Sequence, residues 1–152
     1  MEACRPWLFA ADAPFPADRF DEAVFLAMAP MIQQRAITLA DAPGVVDFLF
    51  LHEPNMDEAA WRKAIATPEA AAVLRGTIAA FEGLADWNAE ALKTSFEAVA
   101  TAHGFEKTGK AQPPVRIAVT GRTVGPPLFE SLEHLGRSET LRRLRTAEST
   151  IG

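Results

Sequence analysis

Residues able to hold an anion are concentrated late in the chain, in the stretch GKAQPPVRIAVTGRTVGPPLFESLEHLGR at positions 109–137. This stretch carries Lys110, three arginines, four glycines and two proline pairs. Arginine presents a planar, permanently charged fork of donors that suits phosphates and the edges of bases. Proline pairs hold a loop rigid, so less conformational entropy is lost when a ligand binds. The combination predicts a surface for an anionic ligand.

The distribution of charge supports this interpretation. Residues 1–106 contain 7 Lys and Arg against 16 Asp and Glu, a net charge of −9, whereas residues 107–145 contain 8 against 3, a net charge of +5. The whole chain has a formal net charge of −5. Such asymmetry indicates that one face meets an anion while the rest of the surface stays solvated.

Enzymatic chemistry has little support in the sequence. His52, His103 and His134 are far apart, and no Cys or His stands at the spacing of a metal site. Cys4 has no obvious base beside it, and the sequence contains neither a nucleophile elbow nor a phosphate-binding loop. We therefore predict no catalytic residue and no metal site.

The composition is typical of a globular protein. The 152 residues, of which 49% are hydrophobic, suffice for one ordinary domain or for two small helical subdomains. A single cysteine excludes a disulfide within the chain, and no apolar run approaches the roughly 20 residues of a membrane span. The first residues lack the basic start and the unbroken apolar stretch of a signal peptide. A cytoplasmic location is therefore expected.

Helices are the elements predicted to position the candidate residues. Apolar residues at helical spacing after an acidic start predict a helix over 21–39, which Pro30 should kink or divide. The apolar run PGVVDFLFL at 43–51 fits a buried helix or a strand equally well. After a break at Pro54, Asp57 is predicted to cap a short helix that ends near Ala66.

Four further helices are predicted after residue 66. Thr67-Pro68-Glu69 is typical of a helix start, Gly83 ends that helix, and Asn88 caps the next one, which Gly104 follows. Two short helices at 127–135 and 138–145 are separated by Gly136, with Ser138 as the cap of the second. We expect residues 1–20 to be irregular or partly frayed and residues 21–152 to form a helical domain, with a subdivision near Pro54.

The segment PVRIAVTG at 114–121 is ambiguous, because Val115, Ile117 and Val119 alternate with other residues as they would in a strand. No other segment offers a confident partner strand. A short helix that opens at Pro113 or Pro114 and ends near Gly121 is therefore more consistent with the rest of the chain.

The segment GKAQPPVRIAVTGRTVGPPLFESLEHLGRSETLRRL, the upstream MIQQRAITLAD and the intervening DWNAEALKTSFEAVATAHGF resemble a known family. Over about residues 22–147 the chain is similar to the C-terminal anticodon-binding region of bacterial glutamyl-tRNA synthetases. The most specific part is the ordered set Pro-x-Arg, Thr-Gly, Pro-Pro-Leu-Phe-Glu, Leu-Gly-Arg and Leu-x-x-Leu. The resemblance implies an all-α fold, a compact multi-helix bundle of the anticodon-binding helical cage type.

The resemblance also implies roles for individual residues. Arg35 matches the family's arginine that reads the third anticodon base, and Arg116 matches a position in the pockets for the other bases. Unstacked bases are bound by stacking and by hydrogen bonds to their Watson–Crick edges. The resemblance also implies that these pockets and their apolar wall are formed by Gly125, Pro126, Pro127, Leu128 and Phe129. General candidates for phosphate contacts are the nearby cations Lys107, Lys110, Arg122, Arg137, Arg142 and Arg143.

Simpler roles for these residues stay open. Arg35 could be a solvated or ion-paired surface residue, and Arg116 could be the partner of a buried carboxylate. The pair Pro126-Pro127 could serve only to start a helix. Gly125 stands where many relatives carry a hydroxyl residue, so a side-chain hydrogen bond from that position is absent here.

By resemblance, the chain is a non-catalytic domain that binds tRNA(Glu) for a glutamate–tRNA ligase. The Rossmann domain that activates glutamate is absent from these 152 residues, so the chain is not expected to be an enzyme by itself or to bind a cofactor. ATP and Mg²⁺ would belong to the catalytic domain, present in cis or in trans; membrane and DNA are not expected partners. Two alternatives stay open: a helical protein-interaction module derived from a synthetase, and a free-standing regulatory RNA-binding domain.

Overall fold

The computed structural model describes residue 3, residues 5–10 and residues 12–151, and these residues form helices and no strand. This confirms the predicted all-α fold. The α-helices of the described residues are α1 Arg5–Leu8, α2 Glu22–Gln33, α3 Ala42–Val46, α4 Glu58–Ile65, α5 Glu69–Glu82, α6 Ala89–Ala102, α7 Gln112–Thr120, α8 Leu128–Leu135 and α9 Arg137–Ile151. Short 3-10 turns lie at Ala17–Arg19, Leu39–Asp41, Asp47–Leu49 and Thr108–Ala111. Cys4 lies outside the described residues.

Local sequence signals account for several helix ends. The side chains of Asp21, Asp57 and Asn88 each accept a hydrogen bond from the backbone N–H three residues further on, at 3.2, 3.1 and 2.8 Å respectively. Each of these bonds satisfies an N–H that has no partner within its helix. Gly83 is the residue at which α5 ends, and Gly104 follows α6 with a φ of +87°. The caps Asp57 and Asn88 and the stops Gly83 and Gly104 are as predicted, whereas for Asp21 the sequence predicts only an acidic helix start.

Helix α2, near the candidate site, is shorter than predicted. Helix α2 ends at Gln33 instead of residue 39, and Pro30 lies within it without dividing it. The carboxylate of Asp41 accepts hydrogen bonds from the backbone N–H groups of Ile37 and Thr38 at 3.0 and 2.8 Å. These hydrogen bonds cap the 3-10 turn Leu39–Asp41, so the backbone after α2 begins a separate turn instead of continuing the helix. Arg35 therefore lies in the connecting turn, not on a helix.

The ambiguous segments form helices. Residues 42–49 fold as α3 and a 3-10 turn, and the segment around Arg116 is α7, as the absence of a partner strand indicated. Helix α9 begins at Arg137 and extends to Ile151, so Ser138 does not cap it. Its first bond instead joins the N–H of Thr140 to the carbonyl of Gly136 at 3.0 Å.

Buried apolar residues of the described chain form two clusters. The first core contains residues from Leu8 to Phe50 and is built by α1, α2, α3 and the segments around them. The second core contains residues from Trp61 to Ala147 and is built by α4 to α9. Leu8 and Phe15, from the segment expected to be irregular, are buried in the first core. The predicted fraying of residues 1–20 and the subdivision near Pro54 stay predictions.

Arginines of the second half join the two cores. Arg122 Nη2 lies 2.6 Å from Asp47 Oδ1, and burial raises the pKa of Asp47 although Arg122 opposes that shift. Arg142 forms ion pairs with Glu53 and with Glu139. Arg143 is 2% exposed and donates hydrogen bonds to the carbonyl oxygens of residues 51 and 119, both at 2.7 Å. Part of the positive charge of residues 107–145 is therefore neutralised inside the molecule.

No helix among the described residues combines the length and the apolar character needed to cross a membrane.

Candidate nucleic-acid interface

Arg116 projects from α7 toward the loop that connects α7 to α8. Its Nη1 atom donates a hydrogen bond of 2.8 Å to the carbonyl oxygen of Pro126, and the residue is half-buried. No carboxylate of the described residues accepts a hydrogen bond or ion pair from it, so the open alternative of a buried carboxylate partner is not observed. A Cβ atom added to Gly125 would meet only Arg116 Nη1, at 3.8 Å. The loop therefore has space for a larger residue at Gly125.

The loop at residues 121–127 is held at both ends. At its start, the carbonyl of Gly121 accepts a hydrogen bond from the N–H of Asp57 at 2.8 Å, and the hydroxyl of Thr120 accepts one from the N–H of Arg122 at 3.3 Å. At its end, the hydroxyl of Ser131 donates to the carbonyl of Pro127 at 2.7 Å. A loop fixed in this way loses little conformational entropy when a ligand binds.

Arg35 lies close enough to Arg116 for the two charges to interact. The pKa of Arg116 is lowered, first by burial and second by the positive charge of Arg35. Arg35 itself is exposed, and its guanidinium forms no hydrogen bond or ion pair with any residue that the structure describes. The tertiary structure thus brings together two site residues that are 81 positions apart in the chain. Two cations with no counter-charge form a site for phosphate oxygens or for the acceptor edge of a base.

The apolar residues implied by the resemblance occupy a different place from the one expected. Leu128 and Phe129 are 2% and 8% exposed, and both belong to the second core. The ring of Phe129 lies 5.7 Å from that of Phe96, measured between centroids. Their side chains are therefore core residues and do not form the predicted apolar wall. Pro126 is also buried, and its carbonyl positions Arg116.

The six candidate phosphate contacts divide into two groups. Arg122, Arg142 and Arg143 bind acidic groups or carbonyls within the domain, and Arg143 is buried, which is incompatible with the phosphate contact predicted for it. Arg137 donates to the carbonyl of residue 84, and its guanidinium lies 5.4 Å from the ring centroid of Trp87. Lys107 and Lys110 are exposed and form no ion pair with a described residue.

The structure adds residues that sequence analysis missed. Arg116 lines a small cleft of about 140 Å³ together with Gln112, Pro113 and Thr123. Next to it lies a larger cleft of about 550 Å³, whose lining includes Lys63 of α4. No sequence signal marks Lys63 or Thr123. Lys63 reaches this surface through the packing of α4 against α7, and Thr123 reaches it through the course of the loop after α7. Among the described residues, no group of three or more His, Cys, Asp and Glu is placed to hold a metal ion.

Comparison with known proteins gives a match over nearly the whole chain. The model of the family described as "Anticodon binding domain" matches residues 1–148. The chain belongs to this family. This finding confirms the resemblance seen in the sequence.

Curated relatives of this anticodon-binding domain are named glutamate–tRNA ligases. That of Thermobifida fusca is 50% identical over 148 residues, which are 97% of this chain and 31% of the relative. That of Streptomyces coelicolor is 51% identical over 147 residues, which are 96% of this chain and 29% of the relative. The chain thus spans about a third of the length of the curated relatives it matches.

Solved structures show the same fold. A glutamate tRNA ligase of Elizabethkingia meningosepticum, crystallised in complex with its amino acid, matches 99% of this domain and 28% of its own chain, with a TM-score of 0.80 and 26% identity. The glutamate-tRNA synthetase of Elizabethkingia anophelis matches 97% of this domain and 27% of its own chain, with a TM-score of 0.75 and 25% identity. The helical architecture is therefore that of the matching part of these enzymes.

Proposed function

We propose that this anticodon-binding domain binds the anticodon of tRNA(Glu) and contributes tRNA selection to a glutamate–tRNA ligase. Its curated relatives carry that ligase name and are matched over about a third of their length. We further propose that activation of glutamate, with ATP and Mg²⁺, belongs to a catalytic domain in cis or in trans. The anticodon-binding domain then supplies no catalytic residue and holds no cofactor, and it acts in the cytoplasm on tRNA, not on DNA.

The observation that carries this proposal is the pair Arg35 and Arg116. The positive charge of Arg35 acts on Arg116 and helps to lower its pKa, neither guanidinium has a carboxylate partner among the described residues, and Arg116 is fixed by the carbonyl of Pro126. A ligand with acceptor atoms would relieve the repulsion between the two cations. Unstacked bases of an anticodon loop present such atoms, together with phosphates on the same strand.

Selection would follow from the cost of unmade hydrogen bonds. When a correct base enters, its edge accepts hydrogen bonds from guanidinium groups that are already positioned. When a wrong base enters, a partly buried donor such as that of Arg116 loses water without gaining a partner. Each lost contact of this kind costs about 1–3 kcal/mol.

Fluorescence anisotropy with labelled tRNA(Glu), at several salt concentrations, would test the proposal. We expect binding that weakens with salt, with a log–log slope of about −0.7 per neutralised phosphate of a single strand. A change of the third anticodon base should weaken binding to the wild-type domain but have little effect on Arg35→Ala. Arg116→Lys retains the charge and loses the planar fork, so it should lose about 1–3 kcal/mol of binding while the salt slope stays nearly unchanged.

Arg19→Ala serves as the control, because Arg19 is an exposed arginine that lines neither of the two clefts. Circular dichroism of each variant would establish that the helices are intact. Binding that is insensitive to salt and to the anticodon base, or equal affinity of the Arg116→Lys and wild-type domains, would contradict the proposal.

A further inference from the structure

The surface beside Arg116 continues into a groove made of three adjoining clefts. The arginine cleft is lined by Gly109, Gln112, Pro113, Arg116 and Thr123. The central cleft, of about 550 Å³, includes Lys63, Ala64, Phe105, Lys110, Pro113 and Thr123 in its lining. The lysine cleft is lined by Gly104, Phe105, Glu106, Lys107 and Lys110. Pro113 and Thr123 are shared by the first two clefts, and Phe105 and Lys110 by the last two. The groove therefore leads without a break from Arg116 to Lys107.

The central cleft combines an apolar floor with polar groups at its wall, which suits a flat, partly polar ligand. Its floor is apolar, with Val73 and Ile117 of the second core below it. The hydroxyl groups of Thr67 and Thr123 stand at its wall, and neither forms a hydrogen bond with a described residue. Its volume falls within the roughly 300–1,000 Å³ of small-molecule pockets. A nucleobase, with apolar faces and a hydrogen-bonding edge, matches this combination.

The cations of the groove differ from those elsewhere in the second half of the chain. Lys63, Lys107 and Lys110 are exposed and have no ion-pair partner among the residues that the structure describes. Arg122, Arg142 and Arg145, in contrast, are paired with acidic residues. Positive charge thus prevails along the groove, where Arg116 and the three lysines stand against two acidic residues. Glu69 lines the central cleft and Glu106 lines the lysine cleft, and both limit where a phosphate can lie.

We propose that the groove binds the nucleotide that flanks the bases read by Arg35 and Arg116, with its base in the central cleft and its phosphates at Lys63 and Lys110. This inference rests on the proposed binding of an anticodon loop and adds a separate base site to it. Phe105 and Pro113 supply apolar surface against which the base stacks. Because stacking depends on the faces of the base and not on its edge, this site contributes affinity more than sequence discrimination.

The test uses the 152-residue chain and anticodon stem-loops of tRNA(Glu) in which single loop bases are replaced by the fluorescent base 2-aminopurine. Ala64→Phe fills the central cleft from α4, and Ala59→Phe, on the same helix but exposed and outside the cleft, is the matched control. We expect one loop position outside the anticodon to change its fluorescence on binding. Ala64→Phe should abolish that change and weaken binding on the order of 5- to 100-fold, as loss of one stacked base does.

A second pair of variants tests the groove without filling it. Lys63→Gln should weaken binding and reduce the magnitude of the log–log salt slope by about 0.7, whereas Arg62→Gln, a neighbouring cation that does not line the cleft, should leave the slope unchanged. This pair remains informative if Ala64→Phe disturbs the packing of α4. Circular dichroism of all four variants would show whether the helices are retained.

The outcomes separate this inference from the function on which it rests. Normal affinity and an unchanged fluorescence response in Ala64→Phe, with binding still dependent on Arg116, would overturn the base site and leave the cleft to another occupant such as an apolar peptide side chain. Failure of the wild-type chain to bind any of the stem-loops would overturn the proposed function and the base site together.

Discussion

Arginine residues of this domain serve two different purposes at the scale of single side chains. Arg143 is buried and joins residues 51 and 119 to Glu139, so its role is in packing and hydrogen bonding. The guanidinium of Arg116 is anchored by one hydrogen bond, and that of Arg35 has no partner among the described residues. The difference lies in how many acceptors of the folded chain the guanidinium meets, which are three for Arg143, one for Arg116 and none for Arg35. A ligand is therefore expected at Arg35 and Arg116, and none at Arg143.

Arg143→Met should destabilise the domain by about 3–5 kcal/mol, because it leaves one buried and one partly buried carbonyl and part of the Glu139 carboxylate without a donor. Urea unfolding followed by circular dichroism would measure the loss. Arg145→Met is the control, since Arg145 pairs with Glu82 at an exposed position, and it should cost less than about 1 kcal/mol. Similar losses for the two variants would contradict the assignment of Arg143 as a structural residue.

Protonation of Glu139 in acid should make the domain less stable. Hydrogen bonds from Arg142 first, and then from Arg143, lower its pKa from 4.5 to about 2. A carboxyl group whose pKa is lower in the folded state stabilises that state above the unfolded pKa, and the stabilisation is lost as the pH falls from 4.5 toward about 2. The raised pKa of Asp47 acts in the opposite direction, so a variant is needed to isolate Glu139.

Glu139→Gln should therefore be less stable than wild type at neutral pH and lose less stability across that acidic window. The measurement is the free energy of unfolding in urea at a series of pH values. Parallel pH profiles of the two proteins would show that Glu139 does not carry the acid sensitivity.

At the scale of elements, α7 and the loop that follows it depend on the backbone of residues 54–57. Gly121 ends α7 in the left-handed region, with a φ of +83°, and its Cα faces the chain at Asn55. A Cβ atom at this position would lie 2.1 Å from the carbonyl oxygen of Asn55. The glycine thus allows the close approach that brings Asp57 and α4 beside the loop, and this approach also places Lys63 on the groove.

Gly121→Ala should destabilise the domain by about 3 kcal/mol or more, since it combines a strained φ with a backbone clash. Gly104→Ala is a matched control, because Gly104 has a similar φ of +87° but open space around its Cα. It should cost only about 1–2 kcal/mol, the cost of a left-handed conformation alone. Thermal unfolding of both variants would measure the difference, and equal losses would show that the contact with Asn55 has little importance.

At the scale of the whole molecule, two cores of unequal size are joined by several ion pairs and hydrogen bonds. Eight buried apolar residues form the first core and eighteen form the second, among the residues that the structure describes. The ion pair of Arg122 with Asp47 and the bonds of Arg142 and Arg143 to residues 51–53 connect them. Arg35 belongs to the first core's side and Arg116 to the second, so the candidate site depends on both cores holding their relative position.

Native-state hydrogen exchange should show lower protection for α2 than for α5, α6 and α7. The first core buries less apolar surface, and local opening free energies follow the burial and contact density of each region. Ligand binding between Arg35 and Arg116 should raise the protection of α2 most, because it links the less stable core to the more stable one. Equal protection of all four helices in the absence of RNA would indicate a single cooperative unit instead.

Much of the secondary structure, and the family, could be predicted from the sequence. Caps such as Asp57 and Asn88 and stops such as Gly83 are local signals, since a side chain within a few residues satisfies or interrupts the helix backbone. Periodicity of apolar residues likewise reports which elements are helices. The ordered motif around Arg116 is specific enough to identify the anticodon-binding family, and the resemblance to that family marks Arg35 and Arg116 as candidate site residues.

Only the tertiary structure decided which of these candidates face outward and what they face. Arg143 and Arg116 are both arginines of the basic part of the chain, and local residue patterns do not tell them apart. Arg143 is buried between carbonyls, whereas Arg116 borders a cleft. Leu128 lies in a motif linked to base binding but is buried in the second core. Lys63 reaches the groove only because α4 packs beside α7. Burial, ion pairing and the approach of distant segments depend on contacts across the chain, and local residue patterns do not determine them.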